Sequence, residues 1–418
     1  MTETVRSTAP APAPASGRAG ADGGPPGRLP LLDVLRGAAV LGTLMTNVWL
    51  FSGPGAEWGV VSGGTGGDRG TLRGLLSEPS LPAAAESVFR FLADGKFLSM
   101  LTMLFGVGLA IQFASASERG QPWPGRYHRR ALFLFAEGTV HFVLVFAWDV
   151  LMGYAVTALL VARLLARSER VRRTAMWVAG GLHLSVMALL TLGMATAGTG
   201  GGGDGPDPRV VGLYAHGDYL DQVVFRLQNA IALRMEPVIS FGLLVFLFLL
   251  GVRLFRAGAF ADDEAGRRLR VRMLRWGLGA GLPFNAAMSL GGTDFFLLGR
   301  YAAAPVVAIG YLGLIGVLLD RRRGRGHGRD PGRGRVAAGL GSVGRMALTC
   351  YVAQNVLCVL ACYGIGLGLA DRFAGTGPWW VMGLWAAVGL VLVAGSTLWL
   401  RKFAHGPLES VQKWALRR

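Results

Sequence analysis

Asp33 and Arg36 stand at the start of an apolar run, Leu31 to Asn47, that otherwise reads as a helix crossing a membrane. Charges in such a place are costly and call for a partner or a function. At 100° per residue Asp33, Arg36, Thr43 and Asn47 fall in one narrow sector, a polar stripe of about three to four turns. It should face the interior of a helix bundle or a water-filled cavity within it. A guanidinium at the mouth of that stripe is suited to an anion, which it meets by charge-assisted bonds.

A second constellation lies further along. Arg130, Glu137, His141 and Trp148 are spaced by 7, 4 and 7 residues and line one face of a helix read over 129–148, with Asp149 closing it. His141 sits about 18 Å from the Arg129 end. An imidazole is suited to passing protons near neutral pH, and Glu137 or Asp149 is placed to orient it and raise its basicity. The alternative for His141 is an interhelical hydrogen bond without chemistry. In a later apolar run Tyr351 and Asn355 share a face, after Gly344 and Arg345. They either donate into a cavity or join helices. Cys350, Cys358 and Cys362 all fall in that same run, which implies no disulfide framework between outer loops and, without carboxylate or histidine companions, no metal site.

The elements that must position these groups follow from composition. Of 418 residues 52% are hydrophobic and 16% charged, and the apolar ones cluster in long runs, as in an all-α, multi-span membrane helix bundle. Ten spans are expected, near 31–51, 97–117, 129–148, 150–166, 174–196, 237–257, 273–292, 296–319, 343–365 and 378–400. With alternating spans, 32 of the 42 Lys and Arg fall on one side and 9 on the other, which predicts both termini in the cytoplasm. The net charge of +17 thus sits at the ends of apolar runs rather than on one patch, and nucleic-acid binding is not expected.

Residues 1–30, rich in Ala, Pro and Gly, read as a disordered cytoplasmic tail ahead of a single membrane domain, 31–418. Within that domain 197–236 reads as an outer loop that starts with a glycine-rich linker and carries an amphipathic helix from Asp218 to Glu236, a possible lid. Residues 320–342 form a basic cytoplasmic loop, drawn to anionic lipid.

Several motifs then resemble one family. Leu32-Asp33-Val34-Leu35-Arg36-Gly37 followed by Asn47, Gly95-Lys96-Phe97-Leu98-Ser99 with Leu104-Phe105-Gly106-Val107-Gly108, and Arg129-Arg130 with Gly138, His141, Asp149 and Tyr154 resemble the YeiB-like bacterial membrane proteins. Gly344-Arg345-Met346-Ala347-Leu348-Thr349-Cys350-Tyr351 and Gly406-Pro407-Leu408-Glu409 are similar to the two signatures of their domain of unknown function 418. The Asp-x-x-Arg-Gly helix is in turn similar to that of transmembrane acyltransferases, which include sugar O-acyltransferases of bacterial envelopes and the heparan glucosaminide N-acetyltransferase. Many of the O-acyltransferases carry His near Asn47, and if that His is their base this chain uses another residue or is no acyltransferase; the N-acetyltransferase branch also has Asn there. Ser410 also replaces an aromatic residue usual after Gly-Pro-Leu-Glu.

What the resemblance implies is a multi-pass protein of the bacterial cytoplasmic membrane moving an acyl group from cytoplasmic acyl-CoA to an envelope glycan, lipid or secreted metabolite. Asp33, Arg36, Arg129, Arg130 and Arg345 would hold the donor. His141 would be the base, oriented by Glu137 or Asp149, with Asn47 or Tyr351 stabilising the oxyanion. No permanently bound cofactor is expected. A transporter or flippase of a small molecule or lipid is the rival reading, in which the same charges line a pathway.

Overall fold

The computed structural model describes residues 29–53, 55–61, 68, 70–125, 127–197, 207–324 and 334–417. Most of the N-terminal tail, the glycine-rich linker and the middle of the basic loop lie outside the described residues. Among those described, every regular element is a helix. The first half contains α1 (Pro30–Ser52), α2 (Lys96–Glu118), α3 (Tyr127–Leu144), α4 (Leu151–Leu165) and α5 (Glu169–Ala197). A short outer helix, α6 (Tyr219–Gln228), precedes α7 (Phe241–Arg256), α8 (Glu264–Leu290) and α9 (Ala304–Gly324). The chain ends with α10 (Arg335–Arg345), α11 (Ala347–Cys362), α12 (Trp379–Lys402) and α13 (Pro407–Arg417).

Each of the ten expected stretches is thus helical. Five segments, containing α1, α2, α5, α9 and α12, are long and apolar enough to cross a membrane, and α10 with α11, bent by 91°, makes a sixth. The remaining stretches are too short, too charged or, like α8, not apolar enough for that criterion. Below, the inner end of the bundle is the one where α1 begins.

Several boundaries differ from expectation: the described ends of the expected basic loop 320–342 are helical, as the end of α9 and most of α10, and the ninth stretch, 343–365, is broken at Met346. The helix read over 129–148 stops at Leu144, where the N–H groups of Val145 and Phe146 both turn back to the carbonyl of His141. Trp148 and Asp149 therefore do not continue its face. The amphipathic stretch Asp218–Glu236 is α6 followed by two single turns, Ala230–Leu233 and Met235–Ile239, with breaks at Asn229 and Arg234.

A large apolar core joins α1, α2, α4 and α7, and a second one sits between the outer half of α1 and α10, α11 and α12. Backbones meet where α1 crosses α10. A Cβ on Gly37 would lie 1.9 Å from the carbonyl oxygen of Leu340, and one on Gly344 1.8 Å from that of Asp33. Only glycine permits such an approach, the small-residue contact typical of apolar helices. The crossing sets Arg36 and Arg345, the chain neighbours of those glycines, at one place.

Candidate functional site

Three of the five expected donor-binding residues converge. Arg36 of α1, Arg130 of α3 and Arg345 of α10 border one cavity of about 250 Å³, together with Gln112 of α2 and Glu409 of α13. From Gln112 to Leu101 the α2 wall of this cavity runs about 16 Å by helical rise, through Phe105 and Leu104. It is cationic at its inner mouth and apolar along its length. Its far end is closed by Val150, Leu151 and Tyr351.

Asp33 stands beside the mouth, with its carboxylate 3.8 Å from the Arg36 guanidinium, the expected i,i+3 pair. Arg129 does not border the cavity and is exposed, since the neighbour of an inward-facing helical residue points about 100° away. Asn47 lies about two turns beyond the cavity's last α1 residue, Val40, and is half-buried outside it.

Behind Tyr351 lies a buried polar centre. The Tyr351 ring stacks on the His141 imidazole at 5.6 Å between centroids and 27° between planes. Its hydroxyl is 3.4 Å from Asp149 Oδ1, to which it donates, and accepts from the Val150 N–H at 3.4 Å. Asp149 Oδ2 accepts from the N–H groups of Leu151 and Met152, 3.0 and 3.4 Å away, and so caps α4. Gly138 of α3 leaves room for this carboxylate: a Cβ there would come within 2.7 Å of Oδ2. Arg234, from the outer segment, donates to the Asp149 carbonyl at 2.9 Å and lies over the Phe142 ring.

His141 is bonded to neither expected carboxylate. Its Nε2 is 3.0 Å from the side-chain nitrogen of Asn355, while Nδ1 and Asn355 Oδ1 are buried without a hydrogen-bond partner. With the Asn355 amide turned over, Oδ1 would accept from Nε2–H and Nδ1 would keep its lone pair, as a base requires. Both Glu137 carboxyl oxygens are buried with no hydrogen-bond partner among the described residues. His141 itself does not border the cavity; Tyr351 stands between them.

On the other side of Val150 a smaller cavity of about 30 Å³ is bordered by Asp149, Glu236, Arg300 and Tyr301. Glu236 pairs with Arg300 at 3.2 Å and accepts from the Tyr301 hydroxyl at 2.5 Å. Two further groups could not be singled out from the sequence. Glu409, noticed only within Gly-Pro-Leu-Glu, accepts from the N–H groups of Leu348 and Thr349 and from the Thr349 hydroxyl, while that hydroxyl accepts from the N–H of Leu408. The two C-terminal signatures therefore cap each other's helices. Glu57 and Arg226 form a fully buried pair at 2.9 Å near the outer end, joined by the Tyr363 hydroxyl and the Ala147 N–H. They lie 169 residues apart, with no spacing to betray either to the other.

The fold and site define a bundle of apolar helices enclosing a cavity with a cationic mouth and a His–Tyr–Asp centre at its end. Residues 254–418 match the family described as "Protein of unknown function (DUF418)". The chain is 26% identical over 402 residues to the uncharacterized protein YxaH of Bacillus subtilis (strain 168), covering 91% of this chain and 92% of that one. It is 26% identical over 393 residues to the uncharacterized protein YeiB of Escherichia coli (strain K12), covering 90% and 93%. A 39.9 kDa protein encoded in the amylase 3′ region of Bacillus acidopullulyticus, likewise uncharacterized, is 24% identical over 391 residues, covering 92% of both chains. The chain thus carries a DUF418 match over its C-terminal part and is similar to YxaH and YeiB over about nine-tenths of its length.

Proposed function

We propose that the protein is a multi-pass acyltransferase of the bacterial cytoplasmic membrane, with ten spans and both termini in the cytoplasm. One observation carries this reading: Arg36, Arg130 and Arg345 border the mouth of a narrow cavity whose far end is Tyr351, its ring stacked on His141 and its hydroxyl 3.4 Å from Asp149. An acyl-CoA matches that gradient. Its phosphates suit the arginines, and its thinner thioester arm suits the apolar walls.

At the far end an acceptor hydroxyl or amine attacks the thioester carbonyl. The new acyl–oxygen or acyl–nitrogen bond forms as the carbon–sulfur bond breaks, and the acceptor proton passes through the Tyr351, Asp149 and His141 group to the departing thiolate. Tyr351 also stands where it can donate to the carbonyl oxyanion. Asn47, away from the cavity, is given no part in this step. The acceptor class comprises envelope glycans, lipids and secreted metabolites, which would approach from the outer side, where Arg234 and Glu236 flank Asp149.

Incubation of the purified protein with radiolabelled acetyl-CoA tests the reading. Binding that competes with free CoA, and label transfer to envelope extracts, are the expected results. Absence of binding by any acyl-CoA would overturn it in favour of a transporter, a reading to which the second cavity beyond Asp149 lends support. The topology has its own test: reporters fused after Arg167 and Arg323 should signal cytoplasm, and those near Gly202 the outside.

A further inference from the structure

The stretch read as the seventh span, 273–292, belongs to a helix whose first three turns are far too basic for hydrocarbon. Arg268, Arg272 and Arg275 recur at i, i+4 and i+7 on one face of α8, all exposed, and Trp276 beside them is 72% exposed. α9 runs antiparallel against α8, close enough that a Cβ on Gly277 would lie 2.2 Å from the Gly310 nitrogen. Its end brings Arg321 to the same groove, which has a volume of about 670 Å³ and is also bordered by Glu264, Arg267 and Asp320.

The carboxylates there are already engaged. Asp320 is held by Arg270 at 2.8 Å, and Glu264 by Arg267 and Arg268 at 2.7 and 3.2 Å. Arg272, Arg275 and Arg321 have no ion pair among the described residues. From the level of Asp320 to that of Gly313, which abuts Leu274, α9 descends about 10 Å. The unpaired guanidiniums thus extend from the cytoplasmic surface to the depth of lipid headgroups and glycerol. Uncompensated charge at that depth is costly, whereas a lipid phosphate supplies the missing anion and acyl chains continue down the apolar half of α8. An exposed tryptophan at this level is the usual companion of a headgroup.

We infer that the α8–α9 groove is a binding site for an anionic diacyl phospholipid of the inner leaflet, its phosphate held by Arg272, Arg275 and Arg321. The inference rests on the membrane placement of α8 and is independent of acyl transfer. The full-length protein is reconstituted in nanodiscs of phosphatidylcholine with and without phosphatidylglycerol, and its melting temperature is compared with that of Arg272→Gln/Arg275→Gln. Arg253→Gln, a basic residue of the same side away from the groove, serves as control. Phosphatidylglycerol should raise the melting temperature of the wild type and of the control, and the double variant should lose most of that rise. A second readout uses brominated phosphatidylglycerol, which should quench the part of the tryptophan fluorescence that Trp276→Phe removes. Equal stabilisation of wild type and double variant, quenching unaffected by Trp276→Phe, or an equal rise from inorganic phosphate in phosphatidylcholine discs would each overturn the assignment.

Discussion

The two ends of the bundle use arginine in opposite ways. At the outer end Arg226 is wholly buried, and its guanidinium spends its donors on both oxygens of Glu57 and on the carbonyl of Val143. Glu57 in turn accepts from Ala147 and Tyr363. At the inner end the Arg36 guanidinium lies 3.8 Å from the Asp33 carboxylate, Arg130 has no ion pair among the described residues, and both border open space with Arg345. The contrast teaches that the charge itself does not mark function. A charge closed on itself in a dry place fixes structure, and one left facing a cavity remains available to a ligand.

The largest effect expected from breaking this contrast is at the outer pair. Glu57→Ala strands a buried guanidinium, and loss of one partner of such a pair typically costs about 3–5 kcal/mol. Thermal unfolding in detergent should show a large fall in melting temperature for Glu57→Ala, and a smaller one for Glu57→Leu with Arg226→Met, which removes both charges. A double variant no more stable than the single would mean that the pair does not act as a unit.

Next comes the polar centre. A structural role for His141 predicts that His141→Gln, which keeps hydrogen-bonding capacity toward Asn355, preserves transfer. The proton-handling role predicts that the variant stays folded, binds acyl-CoA as before, and loses about 10²- to 10⁴-fold in transfer rate. Wild-type turnover in a working assay would remove His141 from the mechanism and turn attention to Asp149, the carboxylate that touches Tyr351.

Arg130 and Arg129 sharpen the comparison within one dipeptide. Both were candidates by sequence, yet only Arg130 faces the cavity. A hydrogen bond to a charged group is worth about 1.5–3 kcal/mol, so Arg130→Ala should weaken acyl-CoA binding about 10- to 100-fold by isothermal titration. Arg129→Ala should leave it unchanged. The reverse order would place the donor outside this cavity.

What was legible in the sequence followed from periodicity and from cost. Long apolar runs fixed where helices form, because burying or lipid-solvating such runs demands internally satisfied backbone. Arg36, Arg130 and Arg345 stood out because a charge beside an apolar run needs a reason. Asp149 also stood out, but its position did not: α3 ends five residues earlier, and the carboxylate caps α4 instead. Glu57 and Arg226 are 169 residues apart and share no motif or spacing, so their meeting is a product of tertiary packing alone. The bend between α10 and α11 was equally hidden. It depends on Glu409 reaching back about 60 residues to take N–H groups that the break leaves without partners.

The smallest effect is expected at Asp33 and Arg36, and there the comparison between the two ends is most exposed to test. The pair is the counterpart of Glu57 and Arg226 in chemistry, but its side chains keep 14% and 32% of their accessibility and stand 3.8 Å apart. Partial hydration screens both the attraction and the penalty for leaving one charge alone, so the pair is worth at most about 1 kcal/mol. Asp33→Ala should therefore lower the melting temperature slightly, and Asp33→Ala with Arg36→Leu should recover part of the loss, with a coupling several times smaller than at the outer pair. Arg36→Lys adds the functional arm: it keeps the charge, should leave stability unchanged, and should weaken acyl-CoA binding by removing the planar fork. A coupling as large as that of Glu57 and Arg226 would mean that the inner charges, too, are closed on each other, and the case for an anion at this mouth would fall with it.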